Sequence, residues 1–324
     1  MSGSKIDIIT LGTRGSELAL FQARHVAWLL QRQHVELSVK IKTITTSGDK
    51  ILDAPLAKIG DKGLFVKEIE NELIAGEIDI AVHSCKDLPT QMPAGLTISA
   101  YGKREDPRDA FISDAGMNSL DDVREEASIG TSSLRRRSQL KSLRPDLNIV
   151  DIRGNVDTRI RKIKELELDG TILAAAGIRR LERENEAAFL FTPEQLVPAV
   201  GQGVIAVETR EDDPRVIGLI ECLNDERSAT AVVAERALMR ELEGGCQVPI
   251  GAHAVVLDGL LSMNAYLGSL DGSDSIRDRI EGPAEEADAL GVALARRMFV
   301  AGGERILAEV RTEEPGGASP VDHP

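Results

Sequence analysis

Apolar positions along the first hundred residues alternate between two periods. "IDIITLG" is a short β-branched run, "TRGS" breaks it, and from Ser16 the apolar residues Leu18, Phe21, Val26, Leu29 and Leu30 recur at helical spacing, with Ser16 placed to cap the helix. "VKIKTITT" reads as a second strand. "LFVKEIENELIAG" reads as an amphipathic helix closed by Gly76, and "IDIAVHS" is a continuous apolar run of the kind buried on both faces of a parallel sheet. The same alternation continues in "ASIGTS" with "SLRRRSQLKSLRP", "NIVDIRG" with "NVDTRIRKIKELELDG", and "TILAAAG" with "IRRLERE". Each pair is a strand followed by a helix, with Ser, Thr or Asn at most of the junctions. The pattern predicts α/β architecture, in which ligands sit beyond the carboxyl ends of the strands.

After "VPAVGQG" come one more strand, "VIAVET", and helices from about Asp213 and from Glu226, the second ending at "LEGG". From Ala252 the pattern changes to "AHAVVL", a "DG" turn and "LLSMNAYLG", then a helix within "AEEADALGVALARRMFVAGG", which predicts a separate small α+β domain. The tail "TEEPGGASPVDHP" is rich in Pro and Gly and reads as disordered.

A chain of 324 residues with 42% hydrophobic and 28% charged residues supports two or three globular domains. No apolar run reaches transmembrane length, and the N-terminus lacks the pattern of a signal peptide, so the expectation is a cytoplasmic protein without a membrane partner. Cys85, Cys222 and Cys246 are odd in number and widely spaced, which suggests neither a disulfide framework nor a metal site. The formal net charge of −14 argues against a nucleic-acid partner. Positive charge is nevertheless concentrated: Leu134 to Lys164 holds ten Lys/Arg against three Asp/Glu, a local +7 that leaves −21 elsewhere. With aromatics at 3%, base-stacking platforms are scarce, and a small polyanion fits better.

Arginines mark three successive strand-to-helix junctions: Arg135, Arg136 and Arg137 behind Thr131, Ser132 and Ser133; Arg153 and Arg159 next; then Arg180. Hydroxyls, free backbone N–H groups and forked guanidiniums at such junctions suit carboxylates or phosphates. Any one of these arginines has an equal claim to be a solvated helix face. In "HSCKDLPT", Asp87 follows a buried strand with Lys86 and His83 near it, and reads either as a turn former before Pro89 or as a carboxylate that steadies a cation and moves a proton. Cys222, among apolar helix positions, reads as a buried structural thiol. Cys246 differs, because Gly244 and Gly245 before it and Pro249 after it hold a thiol out on a loop, where it is positioned to react.

"HSCKDLPT", "KREDPRDAF", "GTSSLRRRSQL", "IRGNVDTR", "VPAVGQG" and "LEGGCQVPIGA", in this order, resemble the porphobilinogen deaminase family from about Thr13 to Ala254. Val197 stands where leucine is common in that family. The resemblance implies two doubly wound domains like type II periplasmic binding proteins, residues 1–102 with 204–224 and residues 103–203. It further implies an α+β domain over 225–312 and a tail over 313–324. It also implies a monomeric transferase that joins four porphobilinogen molecules head to tail, with loss of ammonia, to give hydroxymethylbilane. A dipyrromethane held by a thioether to Cys246 would prime the chain. Asp87 would assist loss of ammonia. Lys86, Asp87, Thr131, Ser132, Ser133, Arg135, Arg136, Arg153 and Gly154 would bind the cofactor. Arg14, Ser16, Arg153, Arg159 and Arg180 would bind substrate carboxylates. The glycine-rich "KIGDKGLF" segment, with Lys58 and Lys62, matches a mobile loop of the family, beside which Phe65 would cover a pyrrole ring.

Two other functions compete. A binding protein that holds a small anion without chemistry would need no reactive thiol. A phosphate-transferring enzyme built on "GDKG" lacks the expected G-x-x-x-x-G-K-[ST] motif.

Overall fold

The structure is a computed structural model that describes residues 8–50, 65–113, 116–242 and 248–312. The predicted alternation gives β1 (Ile8–Thr13), α1 (Glu17–Gln33), β2 (Ser38–Thr43), a short α2 (Ser47–Lys50), α3 (Lys67–Ile74), β3 (Ile80–Ser84) and β4 (Leu96–Tyr101). Ser16 caps α1 by accepting a hydrogen bond from the Ala19 amide at 3.3 Å. Helix α1 buries Ala23, Val26, Ala27 and Leu30 against the sheet, while Phe21 sits on its outer edge, 37% exposed. The helical period was therefore read correctly, but its apolar stripe is wider than the buried face.

A second α/β body follows: β5 (Asp109–Ile112), β6 (Ser128–Gly130), α4 (Leu134–Leu143), β7 (Asn148–Val150), α5 (Val156–Glu165), β8 (Gly170–Ala174), α6 (Ala175–Arg180) and β9 (Ala187–Leu190). The chain then returns as β10 (Ile205–Arg210) and α7 (Pro214–Ile220). The first sheet has the order β2-β1-β3-β10-β4 and the second β7-β6-β8-β5-β9. Three strands on one side of each sheet run parallel. In each, the fourth strand, β10 or β5, is antiparallel to both neighbours. These are the two doubly wound domains that the resemblance implied. Strand β10 completes the first sheet from beyond the second, so two chain crossovers join the bodies. They hold each other: the Glu105 amide donates to the Gly203 carbonyl at 3.1 Å. Gly203 has φ +89°, and a Cβ there would strike the Glu105 carbonyl, so this close approach requires glycine.

Helix α8 (Glu226–Glu241), strands β11 (Ile250–Leu257), β12 (Leu260–Gly268) and β13 (Ser275–Pro283), and helices α9 (Ala287–Met298) and α10 (Glu304–Thr312) form the third body. Its antiparallel sheet β11-β12-β13 packs on α8 and α9 around Leu238, Met263, Leu294 and Met298. The fold class is therefore two doubly wound α/β domains with a small α+β domain.

Candidate active site

The motif residues gather where the parallel strands of the two large sheets end. On the first wall, Arg14 and Ser16 follow β1, Ser84 ends β3, and Lys86 and Asp87 follow it, Asp87 closing a 3₁₀ turn over Cys85–Asp87. With Gln22 and Phe65, residues Arg14, Ser16, Ser84 and Asp87 line a pocket enclosing about 400 Å³ of space open to solvent. The Arg14 guanidinium lies 4.2 Å from the Phe65 ring centroid and donates through Nε to Asp49 at 3.2 Å. Burial opposes ionisation of Asp49, but Arg14 and Thr46 outweigh it and hold its carboxyl below its ordinary value. Arg14 is thus partly neutralised from within the protein.

On the second wall, Ser133 caps α4 by accepting from the Arg136 amide at 3.4 Å, and Thr131 Oγ1 accepts from the Ser133 amide at 3.2 Å. Ser132 Oγ donates to the Ile152 carbonyl at 2.9 Å. The capped helix start delivers Arg135 and Arg136 inward, where both meet Asp109 of β5, at 2.8 and 2.7 Å. All three side chains are buried, and the guanidiniums also reach the Val197 and Ile172 carbonyls at 2.8 and 2.7 Å. Burial raises the Asp109 pKa, yet the two arginines overcome it and keep the carboxyl far below its usual range. Sequence reading missed Asp109, which stands 26 residues before Arg135, although it lies within the quoted "KREDPRDAF".

The remaining cations are held differently. Arg159 projects from the first turn of α5 and donates through Nε to the Gly154 carbonyl at 2.9 Å. Gly154 itself has φ +126°, and a Cβ there would strike Thr158. Arg180 donates to the Gly203 carbonyl at 2.7 Å, and Lys86 Nζ to Gln202 Oε1 at 3.3 Å. Among the described residues, none of these three has a carboxylate partner within ion-pair distance. Desolvation, then repulsion from Arg136, pushes Lys86 down to about 8. Desolvation followed by Arg136 and Arg153 pushes Arg159 down to about 10, with Asp87 opposing. Arg153 is also shifted down by desolvation. Lys86, Asp87, Arg136, Arg153 and Arg159 therefore share one electrostatic field across the cleft, and Arg14 and Ser16 join them through the Asp87 pocket. Gln202 bridges the walls, since its amide also donates to Asp109 at 3.1 Å. It too escaped sequence reading, although it lies within the quoted "VPAVGQG".

Cys246, Lys58 and Lys62 lie outside the described residues. Of the other two thiols, Cys85 is buried, and burial pushes it up to about 12, so it is not poised to react. Cys222 is exposed, which corrects its reading as a core residue. Helix α7 ends at Ile220, and the following 3₁₀ turn (Glu221–Leu223) carries Cys222 off the apolar face while burying Leu223.

Two doubly wound domains that enclose one carboxylate within a field of partner-poor cations define a protein suited to an organic polyanion. Residues 9–218 match the family model for the dipyrromethane cofactor binding domain of porphobilinogen deaminase, and residues 229–300 match the model for its C-terminal domain. A porphobilinogen deaminase from Syntrophomonas wolfei is 53% identical over 94% of this chain and 99% of its own length. One from Trichlorobacter lovleyi is 49% identical over 94% and 97%. Among solved structures, a TRAP periplasmic solute binding protein from Desulfovibrio salexigens superposes with a TM-score of 0.42 at 10% identity, over 69% of this chain and 74% of that one. The chain belongs to the porphobilinogen deaminase family: it is a transferase of tetrapyrrole biosynthesis that acts on porphobilinogen and uses a dipyrromethane cofactor. The donor set fits such a group, because Lys86, Arg159 and Arg180 are charged donors without a carboxylate partner among the described residues. No helix among the described residues is long and apolar enough to cross a membrane.

Proposed function

We propose that the cleft runs the stepwise condensation of four porphobilinogen molecules, with Asp87 as the catalytic group and Cys246 as the attachment point of the cofactor. The observation that carries this reading is that Lys86, Arg159 and Arg180 donate only to neutral oxygens among the described residues, while Asp87 lines the pocket with Arg14 and Ser16. When bound, the dipyrromethane supplies the nucleophilic pyrrole carbon at which the chain grows. Lys86, Arg153 and Arg159 hold carboxylates, and Thr131, Ser132, Ser133 and the Gly154 backbone line the cofactor's side of the cleft. Arg14, Ser16 and Arg180 orient incoming substrate. Arg135 and Arg136 act with Asp109 as a unit that carries one net positive charge toward the cofactor.

Asp87 steadies the cation left on the substrate as ammonia departs, and takes the proton that the new carbon–carbon bond releases. A water-poor setting strengthens both effects, and the downward shifts of Lys86 and Arg159 reflect that desolvation. The inert surroundings of Cys85 favour Cys246 as the attachment site. We further propose a cytoplasmic monomer, consistent with the odd, unpaired cysteines and a reducing compartment.

The test is to give purified protein porphobilinogen alone and to measure ammonia and linear tetrapyrrole together. Four ammonia per tetrapyrrole are expected from the wild type and none from Cys246→Ser, while Cys222→Ser stays active. Full turnover by Cys246→Ser would overturn the assignment of the thiol.

A further inference from the structure

At the back of the pocket, which His83 also lines, lies a group of titratable side chains that the reaction as described does not use. His83 Nε2 is 3.0 Å from Glu208 Oε2, with side chains 3% and 0% exposed. In the antiparallel register of β3 and β10, Ala206 faces His83 and Glu208 faces Ala81, so imidazole and carboxylate are diagonal neighbours on one face of the sheet. Helix α3 packs over that face through Ile69 and Leu73, and brings the buried Glu70. Oε1 of Glu70 and Oε1 of Glu208 are both shielded from solvent and accept no hydrogen bond from the described residues.

Other charges nearby are already engaged. Arg210 of β10 gives its guanidinium to the Leu73 and Ile78 carbonyls and to Asp213, at 2.8, 2.9 and 2.9 Å. On α3 itself, Glu68 accepts from the Ser47 amide at 2.8 Å and Glu72 pairs with Lys42 at 2.9 Å. Strand β1 sends no titratable side chain toward the helix. Among the described residues, His83 is thus the one hydrogen-bonding partner left to the two interior carboxylates. Burial, followed by repulsion from Glu208, pushes Glu70 up to about 7, with His83 opposing, which makes Glu70 a carboxyl that can keep its proton there.

The location gives this arrangement a consequence for the site. The ladder continues one pair past His83, to Ser84 opposite Ile205, before the strands part, β3 into Lys86 and Asp87 and β10 back toward Gln202. Their remaining ties are the Cys85 amide to the Val204 carbonyl at 2.9 Å and Lys86 to Gln202 at 3.3 Å. We propose that His83 and Glu208 are positioning residues for the reaction, with Glu70 as their neutral neighbour. The His83–Glu208 pair fixes where β3 delivers Lys86 and Asp87, and Glu70 completes the unit by holding a proton in place of a charge. This inference rests on the assignment of Asp87 as the catalytic group.

The experiment uses cofactor-loaded protein and the variants Glu208→Gln, Glu208→Asp and Glu70→Gln, each normalised to its cofactor content. Outer partners of this kind typically contribute about 10- to 100-fold. Glu208→Gln should lower kcat by that factor with little change in KM, and Glu208→Asp should recover part of the loss. Glu70→Gln, which has the shape and neutrality of the protonated acid, should keep a near wild-type kcat. The second readout is independent of how the Glu208 variants fold. The infrared spectrum of the wild type at pH 6 should contain a protonated-carboxyl band that fades near neutrality, and Glu70→Gln should lack it. Normal kcat in Glu208→Gln, or a wild-type spectrum without a band that depends on Glu70, would overturn the proposal. Failure of the underlying assignment is separate, because it would show as wild-type turnover in Asp87→Asn whatever the Glu208 variants do.

Discussion

Two groups of cations share the cleft and look alike in sequence, yet the protein holds them in opposite ways. Arg135 and Arg136 are buried on Asp109, while Lys86, Arg159 and Arg180 have only neutral oxygens as hydrogen-bond partners among the described residues. A basic segment therefore contains both structure and binding capacity. What separates the two is whether the protein supplies the counter-charge.

The sharpest way to break this comparison is to remove one member of the first group. Arg136→Leu leaves Asp109 buried with half its compensation, and breaking a buried pair from one side costs about 3–5 kcal/mol. Its unfolding midpoint in urea should fall steeply, and an unchanged midpoint would show that the pair is not structural. Next in size is Asp87→Asn, which keeps the volume of the side chain and loses its charge. A positioned acid–base group contributes about 10²- to 10⁴-fold. Ammonia release per cofactor-loaded molecule should therefore drop by at least about two orders of magnitude with the fold intact, and Asp87→Glu should retain more. An unfolded Asp87→Asn would instead favour a turn-forming role before Pro89. Arg159→Leu comes third. Losing a charge-assisted hydrogen bond costs about 1.5–3 kcal/mol of ligand binding. Here the urea midpoint should hold, the reverse of Arg136→Leu.

The smallest effect is one of pH. Lys86 binds its proton less tightly folded than unfolded, so between about pH 8 and its ordinary value of 10.5 the unfolded chain carries more protons and stability rises with pH. In Cys246→Ser, which would lack the cofactor's carboxylates, the urea midpoint should climb slightly across that window. Lys86→Met in the same background should flatten the climb, and an identical slope in both proteins would place the effect elsewhere.

Local features of the fold were legible in the sequence because they depend on neighbouring residues. Ser16, Ser133 and Asn155 cap the helices that follow them, and the arginine-bearing junctions do stand at the ends of β6 and β7, but α6 begins at Ala175, so Arg180 closes that helix instead of opening it. Long-range pairings were not legible. Asp109 meets Arg135 and Arg136 only because β5 runs antiparallel beside β8, and Gln202 meets Lys86 only because the chain returns as β10. Strands β4, β5, β9 and β13 also escaped the pattern. Strands β5 and β9 have four residues each, and β13, "SIRDRIEGP", carries four charged residues on a half-exposed edge. The misreading of Cys222 has the same origin, since a one-turn change from α to 3₁₀ geometry moves a side chain off the buried face.

The most direct test of the account is the intact mass of the purified wild type beside Cys246→Ser and Arg159→Leu. The wild type should be heavier than its sequence by one dipyrromethane, Cys246→Ser should match its sequence, and Arg159→Leu should be folded but largely without the added mass. An active wild type with no added mass, or a fully loaded Arg159→Leu turning over at the wild-type rate, would contradict the claim that Arg159 is left without a counter-charge in order to hold a cofactor carboxylate.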